Sequence, residues 1–127
     1  MRPRRVYETV VYAADLAAAI AFYRGVLGLR QVDDGAFRLD DGGMLLLFDP
    51  ASSSRPGRPV PSHGATGAGH VAFLVAEGEL DAWRESLRAQ SVELEQEKEW
   101  PGGGRSIYVR DPAGNSVELV EGDLWPP

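Results

Sequence analysis

The 127-residue chain contains no cysteine, so disulfides, thiolate metal sites and a cysteine nucleophile are excluded. It also lacks a long apolar run. The longest, from Leu16 to Tyr23, falls well short of the ~20 residues that a membrane-spanning helix needs. No apolar stretch follows the N-terminal arginines as it would in a secretory signal. These absences predict a cytoplasmic protein with no membrane partner.

Basic side chains are scarce as well. The formal net charge is −6 at pH 7 and the sequence pI is about 4.8. Because phosphate binding needs a basic face, we expect no nucleic-acid partner. With 43% hydrophobic and 25% charged residues, the composition is that of one globular domain large enough to bury a core without cross-links.

The first half of the chain has an alternation of strand and helix patterns. β-branched and aromatic residues over 6–12 predict a strand. A helix is predicted next, with Asp15 as its N-cap and Gly28 at its end. Its apolar face consists of Leu16, Ile20, Tyr23 and Leu27. Short apolar runs separated by Asp-Gly turns predict three more strands, at 29–33, 36–40 and 44–48.

The second half repeats this order. Residues 50–68, rich in Ser, Pro, Gly and Arg, predict a linker, which is long enough to suggest a functional role such as a lid. A strand, a helix and three more strands follow, at 70–76, around 80–87, and at 92–97, 105–110 and 116–120. The sequence therefore predicts an α+β fold, a single domain over 1–127 made of two βαβββ modules, at about 6–49 and 69–125.

The duplication puts residues in equivalent positions. Glu8 on the first strand of module one corresponds to His70 in module two, and Leu46 on the fourth strand corresponds to Glu118. Side chains alternate between the faces of a strand, and the apolar neighbours of Glu118 are typical of a helix-packed core. We therefore expect Glu8, His70 and Glu118 on the sheet faces opposite the helices.

Two carboxylates and an imidazole that converge in a partly closed cleft would repel and shift one another's pKa unless a cation neutralised them. One nitrogen and two oxygen ligands suit Mn²⁺, Fe²⁺, Ni²⁺, Zn²⁺ or Mg²⁺ and leave positions open for substrate oxygens. We predict one divalent metal ion per site, held by Glu8, His70 and Glu118. Tyr108 shares their face. It is either a substrate hydrogen-bond donor or a buried aromatic residue whose hydroxyl is solvated.

Three motifs in this order resemble those of the vicinal oxygen chelate superfamily, also called the glyoxalase, bleomycin-resistance and extradiol-dioxygenase superfamily. They are Ala14-Asp15-Leu16 with Phe22-Tyr23 and Val26–Leu29, then Gly69–Phe73, then Asp111–Leu119. The resemblance extends from about Tyr7 to Trp125. It implies two βαβββ modules that form a curved eight-stranded cleft, metal ligands from the first and fourth strand of each module, a small-molecule substrate and a homodimer.

Departures from the family's ligand patterns narrow the choice of activity within the superfamily. Glyoxalase I and methylmalonyl-CoA epimerase carry a fourth ligand where this chain has Leu46, which puts both activities in doubt. Extradiol dioxygenases carry a histidine where this chain has Glu8, which weakens the case for iron-dependent ring cleavage. Fosfomycin-resistance thiol transferases use the three slots of Glu8, His70 and Glu118 and a tyrosine like Tyr108. The chain lacks their C-terminal arginine, so fosfomycin is not predicted as the substrate.

The resemblance implies an enzyme whose metal acts as a Lewis acid on a small oxygenated substrate, with Glu118 as general base and Glu8 completing the site of the partner chain. Isomerase, lyase, transferase and dioxygenase chemistry all remain open. The alternative is a metal-free bleomycin-resistance-type protein that binds a drug or metabolite in a groove lined by Tyr12, Trp100 and Tyr108. His63 in the linker is interpreted as an exposed loop residue.

Overall fold

The computed structural model describes all 127 residues, and the chain divides into two units, Met1–Gly67 and Ala68–Pro127. Each unit contains one four-stranded mixed sheet. No helix in the chain has the length and apolar character that crossing a membrane requires.

The first unit has the predicted order of elements, with one addition. Its strands are β1 (Glu8–Tyr12), β2 (Arg30–Asp33), β3 (Ala36–Arg38) and β4 (Met44–Phe48). The helix α1 (Leu16–Ala21) follows β1 and continues as a π-helical turn over Phe22–Val26. In the sheet, β1 lies parallel to β4 at one edge, and β3 and β2 follow antiparallel. The addition is α2 (Pro50–Ser53), a short helix in the segment predicted as a linker.

The start of α1 is confirmed, but its buried face differs from the prediction. The Asp15 carboxylate accepts a hydrogen bond from the Ala18 backbone N–H at 3.0 Å, as expected of an N-cap. The buried side chains are Ala19, Phe22, Tyr23 and Leu27. The π-helical turn holds an extra residue, which rotates the face after Ala21. Leu16 and Ile20, which precede this turn, are only half-buried.

His63 is not the exposed loop residue that the sequence predicts. Its backbone N–H donates to the Ser53 carbonyl at 3.0 Å, and its Nδ1 lies 2.7 Å from the Tyr12 hydroxyl. Its ring meets Phe48 edge-on with the centroids 4.8 Å apart. The prediction was wrong because these contacts join residues distant in sequence, which composition does not indicate.

The second unit contains β5 (His70–Leu74), α3 (Leu80–Ala89), β6 (Gln96–Glu99), β7 (Arg105–Arg110) and β8 (Ser116–Glu121). The sheet order is β5-β8-β7-β6, with β5 parallel to β8. The helix α3 packs against β7 and β8. The buried apolar residues at this contact are Leu80 and Leu87 of the helix and Ile107, Val109, Val117 and Leu119 of the sheet. Alternation places the intervening residues of β7 and β8 on the opposite face.

The predicted equivalence between the two modules is confirmed by the strand register. In the first unit Val10 pairs with Leu46, and in the second unit Ala72 pairs with Glu118. Glu8 and His70 each lie two residues before these positions on β1 and β5. Leu46 and Glu118 are thus structurally equivalent, as are Glu8 and His70.

A partly buried ion pair joins the end of β8 to β7 in the second unit. The Glu121 carboxylate accepts from the Arg105 guanidinium at 2.8 Å and from the Leu80 backbone N–H, at the start of α3, at 3.3 Å. The hydrogen bond from Arg105 lowers the pKa of Glu121 from its ordinary value of 4.5. A carboxyl with a lower pKa in the folded state stabilises the fold above its unfolded pKa. That contribution is lost as the pH falls through the folded value.

Glu121→Gln is therefore expected to lower the free energy of unfolding at pH 7, and its difference from the wild type is expected to shrink below about pH 4.5. Urea denaturation of both proteins at several pH values between 7 and 3 measures this difference. A difference that stays constant across the range would contradict the assigned role of the Glu121 charge.

Candidate metal centre

Three of the four site residues predicted from sequence lie together on one face of the second sheet, opposite α3. Tyr108 on β7 pairs with Glu118 on β8, and Ala72 on β5 pairs with Glu118 from the other side. His70 lies two residues before Ala72 on the same face of β5. The parity predicted from sequence thus brings His70, Tyr108 and Glu118 to one place.

His70 and Glu118 form a close pair. The Nε2 atom of His70 lies 3.2 Å from Oε2 of Glu118; the glutamate side chain is 8% exposed and the histidine side chain 52%. The other ring nitrogen, Nδ1, lies 3.2 Å from the Ser116 carbonyl oxygen. A carbonyl oxygen only accepts, so Nδ1 carries a proton and donates to it. This contact fixes the ring and directs Nε2 toward the carboxylate.

The second oxygen of Glu118 is engaged by two hydroxyls. The Ser106 hydroxyl donates to Oε1 at 2.6 Å and the Tyr108 hydroxyl donates to the same atom at 2.9 Å. Burial and the hydrogen bond to Glu118 raise the pKa of Tyr108. Its hydroxyl therefore stays protonated at neutral pH, and in this structure it is a donor to the carboxylate rather than a group free in water.

The pair fits a divalent metal ion. Two ligands on a metal with bonds of about 2.1 Å lie about 3.0 Å apart at a right angle and about 3.4 Å apart in a tetrahedral site, which brackets the observed 3.2 Å. The contact is an ion pair when the imidazole carries a proton on Nε2, and a divalent cation between the two atoms can take the place of that proton. A histidine that donates its other N–H to a backbone carbonyl is also the usual arrangement of a metal ligand.

The third predicted ligand, Glu8, lies in the other unit of the chain from His70 and Glu118. No group of three or more His, Asp or Glu side chains that could hold a metal is present. Glu8 belongs to the first unit, where it is exposed at the start of β1. The structure thus brings together His70 and Glu118 and leaves the role of Glu8 as a prediction.

Sequence reasoning missed Ser106, which is 1% exposed and contacts Glu118 directly. A signal was available, because Ser106 lies two residues before Tyr108 on β7 and so shares its face. Trp100, in the turn between β6 and β7, donates its indole N–H to the Ser106 hydroxyl at 2.9 Å. No local pattern indicates that contact.

A depression of about 430 Å³ adjoins this face, with Trp100, Tyr108, Lys98 and Arg110 in its lining. A larger depression of about 700 Å³ lies between α3 and residues 91–97. Its lining contains none of His70, Tyr108 and Glu118, whereas that of the smaller one includes Tyr108.

Comparison with known proteins identifies the family. Residues 5–119 match the model of the Glyoxalase/Bleomycin resistance protein/Dioxygenase superfamily. The chain therefore belongs to this superfamily. Its α+β fold with two four-stranded mixed sheets is the fold of the solved structures in that family, as predicted.

Particular relatives differ in their described activities. The chain is 44% identical to a lactoylglutathione lyase from Agrobacterium tumefaciens, with a TM-score of 0.88 and 100% of both chains covered. It is 29% identical over 109 residues to "Putative ring-cleaving dioxygenase MhqE" of Bacillus subtilis, covering 76% of this chain but only 35%, about a third, of that protein. It is 28% identical over 129 residues to a virulence protein of Salmonella typhimurium, covering 92% of this chain and 83% of the relative.

Proposed function

We propose that the protein is a glyoxalase-like enzyme that holds one divalent metal ion with Glu8, His70 and Glu118 and acts on a small oxygenated substrate. The observation that carries this proposal is the 3.2 Å pair between His70 Nε2 and Glu118 Oε2, with the other nitrogen and the other oxygen already hydrogen-bonded within the protein. A bound metal would supply a Lewis acid for a substrate oxygen on which negative charge develops.

Glu118 is the proposed general base. Its carboxylate lies in a mostly buried site, where a proton acceptor faces little competition from water. Ser106 and Tyr108 hold Oε1, which fixes the carboxylate and leaves Oε2 beside Nε2 of His70. Tyr108 also borders the depression, where its ring can contact the substrate. These residues orient the base and limit its exposure to solvent.

Lyase or isomerase chemistry is the class we propose to test first. The 44% identity to a lactoylglutathione lyase supports it over ring cleavage, which the more distant MhqE suggests. Leu46 stands where a fourth ligand would be, so the chain offers three protein ligands rather than four. The assay compares metal-stripped protein with protein loaded with Mn²⁺, Ni²⁺ or Zn²⁺ on a thiol adduct of a 2-oxoaldehyde and on a catechol. Turnover of neither with any metal would contradict the proposed activity.

We also propose that the protein is a homodimer in which Glu8 of one chain completes the site of its partner, since members of this superfamily often form dimers. Glu8→Ala and His70→Ala are each expected to bind no metal alone. In a mixture refolded together, half of the dimers carry both variants and one of their two sites is intact. Recovery of about a quarter of the wild-type metal capacity is therefore expected.

Metal binding is measured by titration calorimetry on the refolded mixture, with each variant refolded alone as the control. No recovery in the mixture, with dimers present by light scattering, would show that Glu8 does not act across the interface. Wild-type protein that binds no metal but binds a cationic drug such as bleomycin would instead favour the metal-free alternative.

A further inference from the structure

A chain of hydrogen bonds leads from the turn between β6 and β7 to the proposed base. The Trp100 indole N–H donates to the Ser106 hydroxyl at 2.9 Å, and Ser106 donates to Oε1 of Glu118 at 2.6 Å. Ser106 is 1% exposed and the Glu118 side chain 8%. Hydrogen bonds in such a buried setting are stronger than those in water.

The donors and acceptors in this series of hydrogen bonds follow from the groups involved. An indole N–H can only donate, so Ser106 must accept from Trp100. The serine hydroxyl has one proton, and the ionised carboxylate can only accept, so that proton points to Glu118. Because Trp100 occupies an acceptor position of the Ser106 hydroxyl, the serine proton is directed to the carboxylate rather than away from it.

The two oxygens of Glu118 become different as a result. Oε1 receives two donors, from Ser106 and Tyr108, whereas Oε2 faces only the imidazole nitrogen of His70. A carboxylate held in this way offers one oxygen to a cation and keeps the other oxygen occupied.

Trp100 is itself held in place. Its backbone N–H donates to the Gly104 carbonyl at 2.8 Å, and its own carbonyl accepts from Gly103 at 2.9 Å, which closes the turn. A Cβ atom at Gly104 would overlap the end of the Leu124 side chain and press on the Asp123 carbonyl oxygen, so the turn packs closely against the segment that follows β8.

We propose that Trp100 and Ser106 are positioning residues for Glu118, with Trp100 acting through Ser106 to select which carboxylate oxygen is available to the metal and the substrate. This inference rests on the proposed function in one respect, since its first test measures metal affinity. Its second test, by NMR, depends only on the hydrogen bonds among Trp100, Ser106 and Glu118.

The affinity measurement is a double-mutant cycle on Mn²⁺ binding by calorimetry. Ser106→Ala is expected to weaken binding about tenfold to a hundredfold, the range found for groups that hold a metal ligand, and Trp100→Phe by less. Because Trp100 acts through Ser106, the double variant should bind no more weakly than Ser106→Ala. Trp83→Phe, a half-buried tryptophan on α3, is the matched control and should bind as the wild type does. Additive losses in the double variant would overturn the proposal.

The second measurement needs no metal. The indole N–H signal of Trp100 in a ¹⁵N-labelled sample is identified by its loss in Trp100→Phe. It is expected to lie downfield, and to move upfield and exchange faster with solvent in Ser106→Ala. A smaller shift is expected in Glu118→Gln and none in Glu99→Gln, an exposed carboxylate on β6.

The two measurements separate the possible failures. A Trp100 signal that Ser106→Ala leaves unmoved would overturn the hydrogen-bond chain, whatever the metal does. Wild-type protein that binds no metal but shows the predicted shifts would contradict the proposed function and leave the positioning of Glu118 by Trp100 and Ser106 supported.

Discussion

Glu118→Gln is expected to weaken divalent-metal binding by more than about 100-fold and to abolish turnover while the protein still folds. Loss of an outer hydrogen-bond partner of a metal ligand already costs 10–100-fold, so loss of the ligand itself should cost more. The amide oxygen can still accept from Ser106 and Tyr108, and the new NH₂ group can donate to Nε2 of His70, so no buried polar group loses its partner.

Three measurements check this result: Mn²⁺ affinity by calorimetry, turnover on the substrate found in the screen, and the melting temperature. Glu99→Gln removes an exposed carboxylate of the same sheet and controls for the change in net charge. If Glu118→Gln kept full turnover, Glu118 would not be the general base. If it also kept wild-type metal affinity, it would not be a ligand.

Leu87→Ala is expected to destabilise the protein by about 2–5 kcal/mol, the range for buried leucine truncation. Leu87 is 0% exposed on α3, where it packs with Leu80 toward the apolar face of β7 and β8. Truncation leaves a cavity between α3 and the sheet that carries Glu118 on β8. A loss of this size is a large part of a typical domain's stability of about 5–15 kcal/mol.

Urea denaturation followed by circular dichroism measures the change in the free energy of unfolding. Val32→Ala truncates an apolar side chain on β2 that is 46% exposed, and is expected to change stability by less than about 0.5 kcal/mol. Similar losses for the two variants would contradict the assignment of the core to the α3 face of the sheet.

The fold could be predicted because each module repeats the same short-range signals. Asp15 is a confirmed N-cap, and the Asp-Gly turns separate the strands of the first unit as expected. The π-helical turn after Ala21 could not be predicted, since the spacing of apolar residues assumes a regular α-helix. The predicted strand at 92–97 is instead Gln96–Glu99, because pairing with Arg105–Tyr108 on β7, not residue type, sets its bounds.

Part of the candidate site could also be predicted from the sequence, because it depends on a regular pattern. Strand parity depends only on counting residues, and it placed His70, Tyr108 and Glu118 on one face. The contacts of Trp100 and His63 depend on how a turn and a linker fold back on the sheets, which no local pattern encodes. Glu8 lies in the other unit of the chain, and its role as a ligand stays a prediction.

Metal content of the purified, untagged protein, measured by elemental mass spectrometry, tests the central claim most directly. About one divalent ion per chain is expected in the wild type and in Glu99→Ala, with little or none in Glu8→Ala, His70→Ala and Glu118→Ala. No metal in the wild type, even after loading with Mn²⁺, Ni²⁺ or Zn²⁺, would contradict the proposed metal site.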